Sequence, residues 1–163
     1  MNEIDLASRQ LGEACLPAKA SIATAESCTG GGVGEAITRT AGSTAWFDRG
    51  FVTYSDAAKV DLLGVKQETI GSHGAVSEAV AREMAVGALH QSDADFAVAV
   101  TGVAGPGGGS PSKPVGLVWF AWASLEGEVR AKFEIFGGDR AAVRQQAVLE
   151  ALKGLVALVA PKE

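Results

Sequence analysis

Ser27, Cys28 and Thr29 stand directly ahead of Gly30, Gly31 and Gly32. A hydroxyl or thiol in front of a glycine-rich turn suits three readings. Ser27 could act as a nucleophile, with the amides of the following helix serving as an oxyanion hole. The same amides could instead cradle a phosphate. The turn could also be a tight turn with no chemistry. The local residues leave all three open. Lys59 follows Tyr54 by five residues and falls in the first turns of a helix. A cation there is poorly placed for the helix dipole, and the same positive end lowers the cost of losing its proton. An exposed lysine on a solvated face is the plain alternative. Arg140 and Arg144 lie one helical turn apart, so they either grip an anion together, face solvent, or pair with Glu134 or Glu150. His73 and His90 stand apart without supporting ligands, and Cys15 and Cys28 make neither a metal spacing nor a disulfide framework, so no metal is expected.

The surrounding elements must hold these groups. Ile4 to Leu16 reads as an amphipathic packing helix ended by Pro17. Ala20 to Ala25 is a short buried strand, and Val33 to Thr38 a helix, so Ser27 falls on a strand-to-helix turn. Ala41 to Phe47 is a loop carrying aromatic bulk. Gly50 to Ser55 alternates like a strand, with Asp56 as the N-cap of the helix that carries Lys59. Gly64 and Val65 close that helix, and a short helix and turn run through Gly74. Ser77 caps a longer helix in which Met84 is core filling. Asp95 to Thr101 is a continuous apolar run suited to a central strand covered on both faces. Val115–Ser124 and Val129–Phe136 read as antiparallel strands joined by a turn at Glu126 to Glu128. Asp139 caps a final helix from Arg140 to about Val159. The later strands are too closely spaced for parallel crossovers. The expected fold is therefore a single three-layer α/β/α domain over residues 1–163 with a mixed sheet.

Glycine supplies 21 of the 163 residues, about twice the average share of roughly 7%. Many cluster at Gly30 to Gly34 and Gly102 to Gly109, each after an apolar strand. This pattern puts two backbone-lined loops on one edge of the sheet, where open α/β folds bind ligands. A net charge of −5 argues against a general nucleic-acid binder, since phosphate neutralisation needs a basic face. It leaves room for a small anion held by local groups. No signal-peptide or membrane-span run opens the chain, so a cytoplasmic protein without a membrane partner is expected. The alanine-rich helices suggest a homodimer.

Five separated stretches, in order, resemble the CinA C-terminal domain family: Ala25-Glu26-Ser27-Cys28-Thr29-Gly30-Gly31; Val52-Thr53-Tyr54-Ser55 leading to Lys59; Gly74-Ala75-Val76-Ser77; Val100-Thr101-Gly102-Val103-Ala104-Gly105-Pro106-Gly107-Gly108; and Lys113-Pro114-Val115-Gly116. The resemblance covers nearly the whole chain and matches the family's stand-alone form. It implies hydrolysis of the carboxamide of nicotinamide mononucleotide to nicotinic acid mononucleotide and ammonia, with no cofactor. It makes Ser27 the nucleophile and Lys59 its general base, with Tyr54 and Thr101 completing the polar centre. The absence of a histidine beside these motifs fits a Ser–Lys arrangement, a known substitute for the Ser–His–Asp triad. Backbone groups around Cys28, Thr29, Gly30 and Gly31 are then expected to stabilise the oxyanion. The phosphate would meet one of the two glycine loops, the second of which carries Gly102, Gly105 and Gly107, or Arg140 and Arg144. Asp56 stands where the family pattern leads one to expect asparagine, and an extra carboxylate would tend to keep Lys59 charged. The competing reading is a regulatory module that holds a nucleotide without cleaving it.

Overall fold

The computed structural model describes residues 2–161. In chain order the elements are α1 (Glu3–Ala18), β1 (Ile22–Glu26), α2 (Gly32–Thr38), β2 (Phe47–Val52), α3 (Asp56–Leu63), α4 (Gln67–His73), α5 (Glu78–His90), β3 (Phe96–Gly102), β4 (Leu117–Ser124), β5 (Val129–Ile135) and α6 (Arg140–Val159), with one 3-10 turn at Ser43–Ala45. The sheet order is β2-β1-β3-β4-β5. β1 runs parallel to both β2 and β3. β4 is antiparallel to β3, and β5 to β4. The sheet is therefore mixed, and the domain single, as expected.

Residue alternation decides which helices cover which face. Ile22, Val98, Val100, Phe120 and Trp122 join a core with α1, α2 and α6. Ala23, Ala25, Ala97, Ala99, Ala121 and Ala123 meet α3 and α5. Alanine along that second face lets α5 lie close to the strands. Gly87 of α5 then lets α3 lie close to α5: a Cβ on Gly87 would stand 1.9 Å from the Leu63 carbonyl oxygen. Leu63 is one turn beyond Lys59 on α3, so this contact sets the depth of the lysine. Gly87→Ala is expected to destabilise the protein by about 3 kcal/mol or more through overpacking against backbone. Because α3 must retreat, turnover should fall along with the melting temperature; a variant that melts and turns over like wild type would remove Gly87 from this role.

Several boundaries differ from the sequence expectation. Pro17 lies inside the last turn of α1, and the helix continues to Ala18, where Lys19 closes it in the left-handed region at φ 51°. Proline keeps a helical φ, so α1 runs one residue past it at the loss of one backbone hydrogen bond. β2 starts at Phe47 and stops at Val52, three residues earlier than expected at each end. Ile22 lies opposite Phe47, the register then shifts by one residue at Asp48, and Ala23 to Glu26 lie opposite Arg49 to Val52. Ser55, not Asp56, caps α3: its side chain accepts from the Ala58 amide at 3.0 Å. β4 begins at Leu117 instead of Val115, because Gly116 takes a left-handed φ of 95° just before it. Ser77 and Asp139 cap α5 and α6 as expected.

Candidate active site

β1 and β3 deliver their carboxyl ends to the same place. The Ser27 amide donates to the Val100 carbonyl at 2.9 Å, and the Thr53 amide to the Glu26 carbonyl at 2.7 Å. These bonds fix the strand ends from which Ser27 and the Thr53–Tyr54 segment emerge. Lys59 reaches them from the first turn of α3. It is 1% exposed, and its Nζ donates to Ser27 Oγ at 3.0 Å, to the Thr53 carbonyl at 2.8 Å and to the Tyr54 carbonyl at 3.1 Å. No carboxylate pairs with Lys59 among the described ion pairs. Burial lowers its pKa from the ordinary lysine value, while the charge of Asp56 works in the opposite direction.

The three contacts use the three donors of an ammonium; losing one proton leaves the two carbonyl bonds in place and turns the third contact around. A neutral amine has two N–H donors for the two carbonyls and one lone pair left for the Ser27 hydroxyl proton. The arrangement can therefore take a proton from serine without breaking either carbonyl bond. Ser27 Oγ also lies 3.3 Å from the Tyr54 carbonyl. Beside it, burial pushes the Cys28 thiol up to about 11, which leaves it protonated and a poor nucleophile at neutral pH.

Ser27 and Lys59 open onto a cavity of about 230 Å³, shared with Cys28, Tyr54, Thr101, Gly102 and Arg140. The structure therefore brings together most of the residues singled out from sequence. Tyr54 contributes differently than expected: the residue is 63% exposed, its hydroxyl lies 3.4 Å from Arg140, and its main-chain carbonyl is what faces Lys59. Thr101 is buried at the cavity wall and donates to the Ala75 carbonyl at 2.9 Å. Arg140 donates to the Gly105 carbonyl at 2.8 Å, which places Gly105 at the rim. Gly107 faces open space and does not line the cavity.

The glycine turn after Ser27 is also built otherwise than expected. The first amides of α2, from Val33 and Gly34, donate to the Glu26 carboxylate at 2.9 and 3.1 Å. The Gly30 amide donates to the Ser27 carbonyl, and the Gly32 amide to the Thr29 carbonyl. The start of α2 is thus filled from within the protein and does not face the cavity. Gly30 and Gly31, at φ 59° and 101°, make the turn, and neither lines the cavity. Thr29 is buried and donates its hydroxyl to Glu26 at 2.5 Å. Among the described residues no carbonyl accepts from the Cys28 or Thr29 amide. Arg144 lies behind the turn, donating to the Cys28 and Thr29 carbonyls at 3.1 and 3.2 Å; it stays exposed, as the solvated-face reading has it, and no acidic partner pairs with it among the described residues.

Asp56, Ala75, Val76 and Ala104 also line the cavity. Ala75 and Val76 lie within one of the stretches that carry the family resemblance, but an apolar pair between two helices has no chemical signature of its own. The sequence reading gives Glu26 no role, although an acidic residue ending a buried strand beside the candidate nucleophile is itself a signal. Among the described residues, no cluster of three or more His, Cys, Asp or Glu is close enough to hold a metal ion.

Residues 5–159 match the CinA C-terminal domain. A relative from Escherichia coli (strain K12), named nicotinamide-nucleotide amidohydrolase PncC, is 54% identical over 154 residues, 94% of this chain and 93% of its own. One of the same name from Pseudomonas putida is 52% identical over 158 residues, 97% and 98% of the two chains. Among solved structures, the competence/damage inducible protein CihA from Agrobacterium tumefaciens superposes with a TM-score of 0.95 at 48% identity, covering 97% of this chain and 96% of that one. The chain belongs to the CinA C-terminal domain family.

Proposed function

We propose that this protein hydrolyses the carboxamide of nicotinamide mononucleotide, releasing ammonia and nicotinic acid mononucleotide, with Ser27 as nucleophile and Lys59 as the proton carrier. The observation that carries the mechanism is the Lys59 amine, buried without a carboxylate partner and in contact with Ser27 Oγ and two carbonyls. The relatives named as amidohydrolases of a nicotinamide nucleotide supply the substrate class. The reading extends to a cytoplasmic homodimer that takes a free nucleotide, without metal or cofactor.

Neutral Lys59 takes the Ser27 proton as the serine oxygen bonds to the carboxamide carbon. The amide of Cys28, which lines the cavity beside Ser27 and is free of a carbonyl acceptor, is the donor for the oxyanion. Lys59 returns the proton to the nitrogen as the C–N bond breaks, and ammonia leaves. Water then attacks the ester; Lys59 accepts one of its protons and passes it to Ser27 Oγ, and the acid departs, giving its remaining proton to solvent as it ionises to the carboxylate. Thr101 orients the carboxamide. A cavity of about 230 Å³ is smaller than the roughly 300–1,000 Å³ typical of ligand pockets, so it encloses the pyridine ring and leaves ribose and phosphate toward the Arg140 rim.

The two arginines then separate kinetically. Arg140→Met should raise KM about 10-fold or more with a smaller change in kcat, as loss of uniform binding does. Arg144→Met should lower kcat with little change in KM, because it frees the Ser27 turn. The same split measured the other way round would exchange their roles.

The proposal is tested by following ammonia and nicotinic acid mononucleotide after adding nicotinamide mononucleotide in the presence of a chelator. Stoichiometric formation of both supports it. Tight binding of the nucleotide with no product would establish the regulatory-module reading instead.

A further inference from the structure

We infer that Glu26 is the positioning residue of the nucleophile turn: its buried carboxylate joins Thr29 and the first amides of α2 into one unit that holds Ser27 Oγ against Lys59. The inference rests on Ser27 being the nucleophile. Glu26 ends β1, immediately before Ser27, and is 1% exposed. Strand alternation sends its side chain to the face opposite Ser27, so it works from behind the nucleophile and does not touch the cavity. Its Oε1 accepts from the Thr29 hydroxyl at 2.5 Å and the Val33 amide at 2.9 Å, and its Oε2 from the Gly34 amide at 3.1 Å.

Among the described residues Glu26 has no cationic partner within ion-pair distance. An isolated buried carboxylate is costly unless its lone pairs are met by hydrogen bonds. Here three donors converge on two oxygens, and all three belong to the segment that follows Ser27. The carboxylate is needed because it only accepts. A glutamine offers one accepting oxygen and turns an N–H₂ donor toward one of the same three donors. Arg144 completes the hold from the other side through the Cys28 and Thr29 carbonyls. Thr29 is thereby fixed at both its hydroxyl and its carbonyl, and the turn has little freedom to carry Ser27 away from Lys59.

The experiment compares Glu26→Gln and Thr29→Val with wild type and with Leu155→Ala, a control that opens a cavity in the same core layer far along α6. Steady-state constants for nicotinamide mononucleotide, melting temperature, and the rate at which phenylmethylsulfonyl fluoride sulfonylates Ser27 are measured together. Misplacing a reacting group lowers kcat by about 10- to 100-fold, and that is the expected loss in both turn variants, with KM within about 2-fold. Sulfonylation should slow in parallel. The pH midpoint of kcat should stay in place, since Glu26 faces away from Lys59. Leu155→Ala should lose as much melting temperature and keep its kcat. The inference is overturned by a Glu26→Gln enzyme with wild-type kcat, or by a control that loses turnover in step with stability. Thr29→Val carries the test if Glu26→Gln does not fold. A wild type that leaves the nucleotide intact would sink the proposed substrate alone; sulfonylation would still decide Glu26, slowed in the variants if it positions Ser27 and unchanged if it does not.

Discussion

Ser27→Ala is expected to lower turnover of nicotinamide mononucleotide by about 10³-fold or more while the protein stays folded and still binds the nucleotide. Removing the nucleophile of a catalytic unit typically costs as much as removing the whole unit. The structure gives reasons why the loss should be confined to chemistry. Ser27 is held through its amide to Val100, a bond that alanine keeps. The side chain gives up one hydroxyl, whose contacts are Lys59 Nζ and the Tyr54 carbonyl. Lys59 retains its bonds to the Thr53 and Tyr54 carbonyls, which satisfy both donors of the neutral amine. The melting temperature should therefore move little, and calorimetric affinity for the nucleotide should stay within a few-fold. Cys28 cannot take over, because burial holds its thiol protonated at neutral pH. Turnover close to wild type in Ser27→Ala would remove the nucleophile assignment.

The second large effect is the pH dependence that belongs to Lys59. Its ammonium must lose a proton before it can act as a base, and burial lowers the pKa at which this happens. Activity should rise with pH through that lowered pKa, at a midpoint below the ordinary lysine value of about 10.4. Lys59→Met should lose about 10³-fold or more in kcat at every pH, as loss of an essential base does. The same shift links to stability. In the window between the lowered folded pKa and the unfolded value, the unfolded chain binds more protons, so stability rises with pH there. Below the folded pKa the full penalty of charging the buried amine is present. Urea midpoints measured against pH should show this rise in wild type and not in Lys59→Met. Asp56 opposes the shift, so Asp56→Asn should move the activity profile to lower pH. A profile that stays in place would mean that Asp56 does not act on the lysine.

Much of this site is legible in the residues before any coordinates. A small, β-branched run followed by Ser27 and three glycines can hardly be other than a strand-to-helix turn, and the five separated stretches that include Lys59 and Thr101 carry the family resemblance. What the residues hide is the division of labour between side chain and backbone. Tyr54 attracts notice for its phenol, yet its carbonyl faces the lysine, because β2 ends at Val52 and the chain turns before α3. Arg144 looks like an anion ligand at i, i+4 from Arg140, but the crossing of α6 behind the Ser27 turn gives it two carbonyls instead. The start of α2 looks open to an anion until the Glu26 carboxylate is placed there. That placement depends on strand alternation and on the sharpness of the glycine turn together. The early start of β2 is hidden for a similar reason: Phe47 and Asp48 have no strand pattern of their own, and Phe47 pairs because β1 lies alongside while Asp48 is skipped at a register shift.

The most direct measurement is acid quench of a single turnover with nicotinamide mononucleotide, followed by peptide mapping across Ser27 and Cys28, with Ser27→Ala run beside it. The expected result is a transient adduct on Ser27 with the mass of the nucleotide less ammonia, and neither adduct nor product from Ser27→Ala. The same adduct on Cys28, or product formed at the wild-type rate by Ser27→Ala, would contradict a Ser27–Lys59 amidohydrolase.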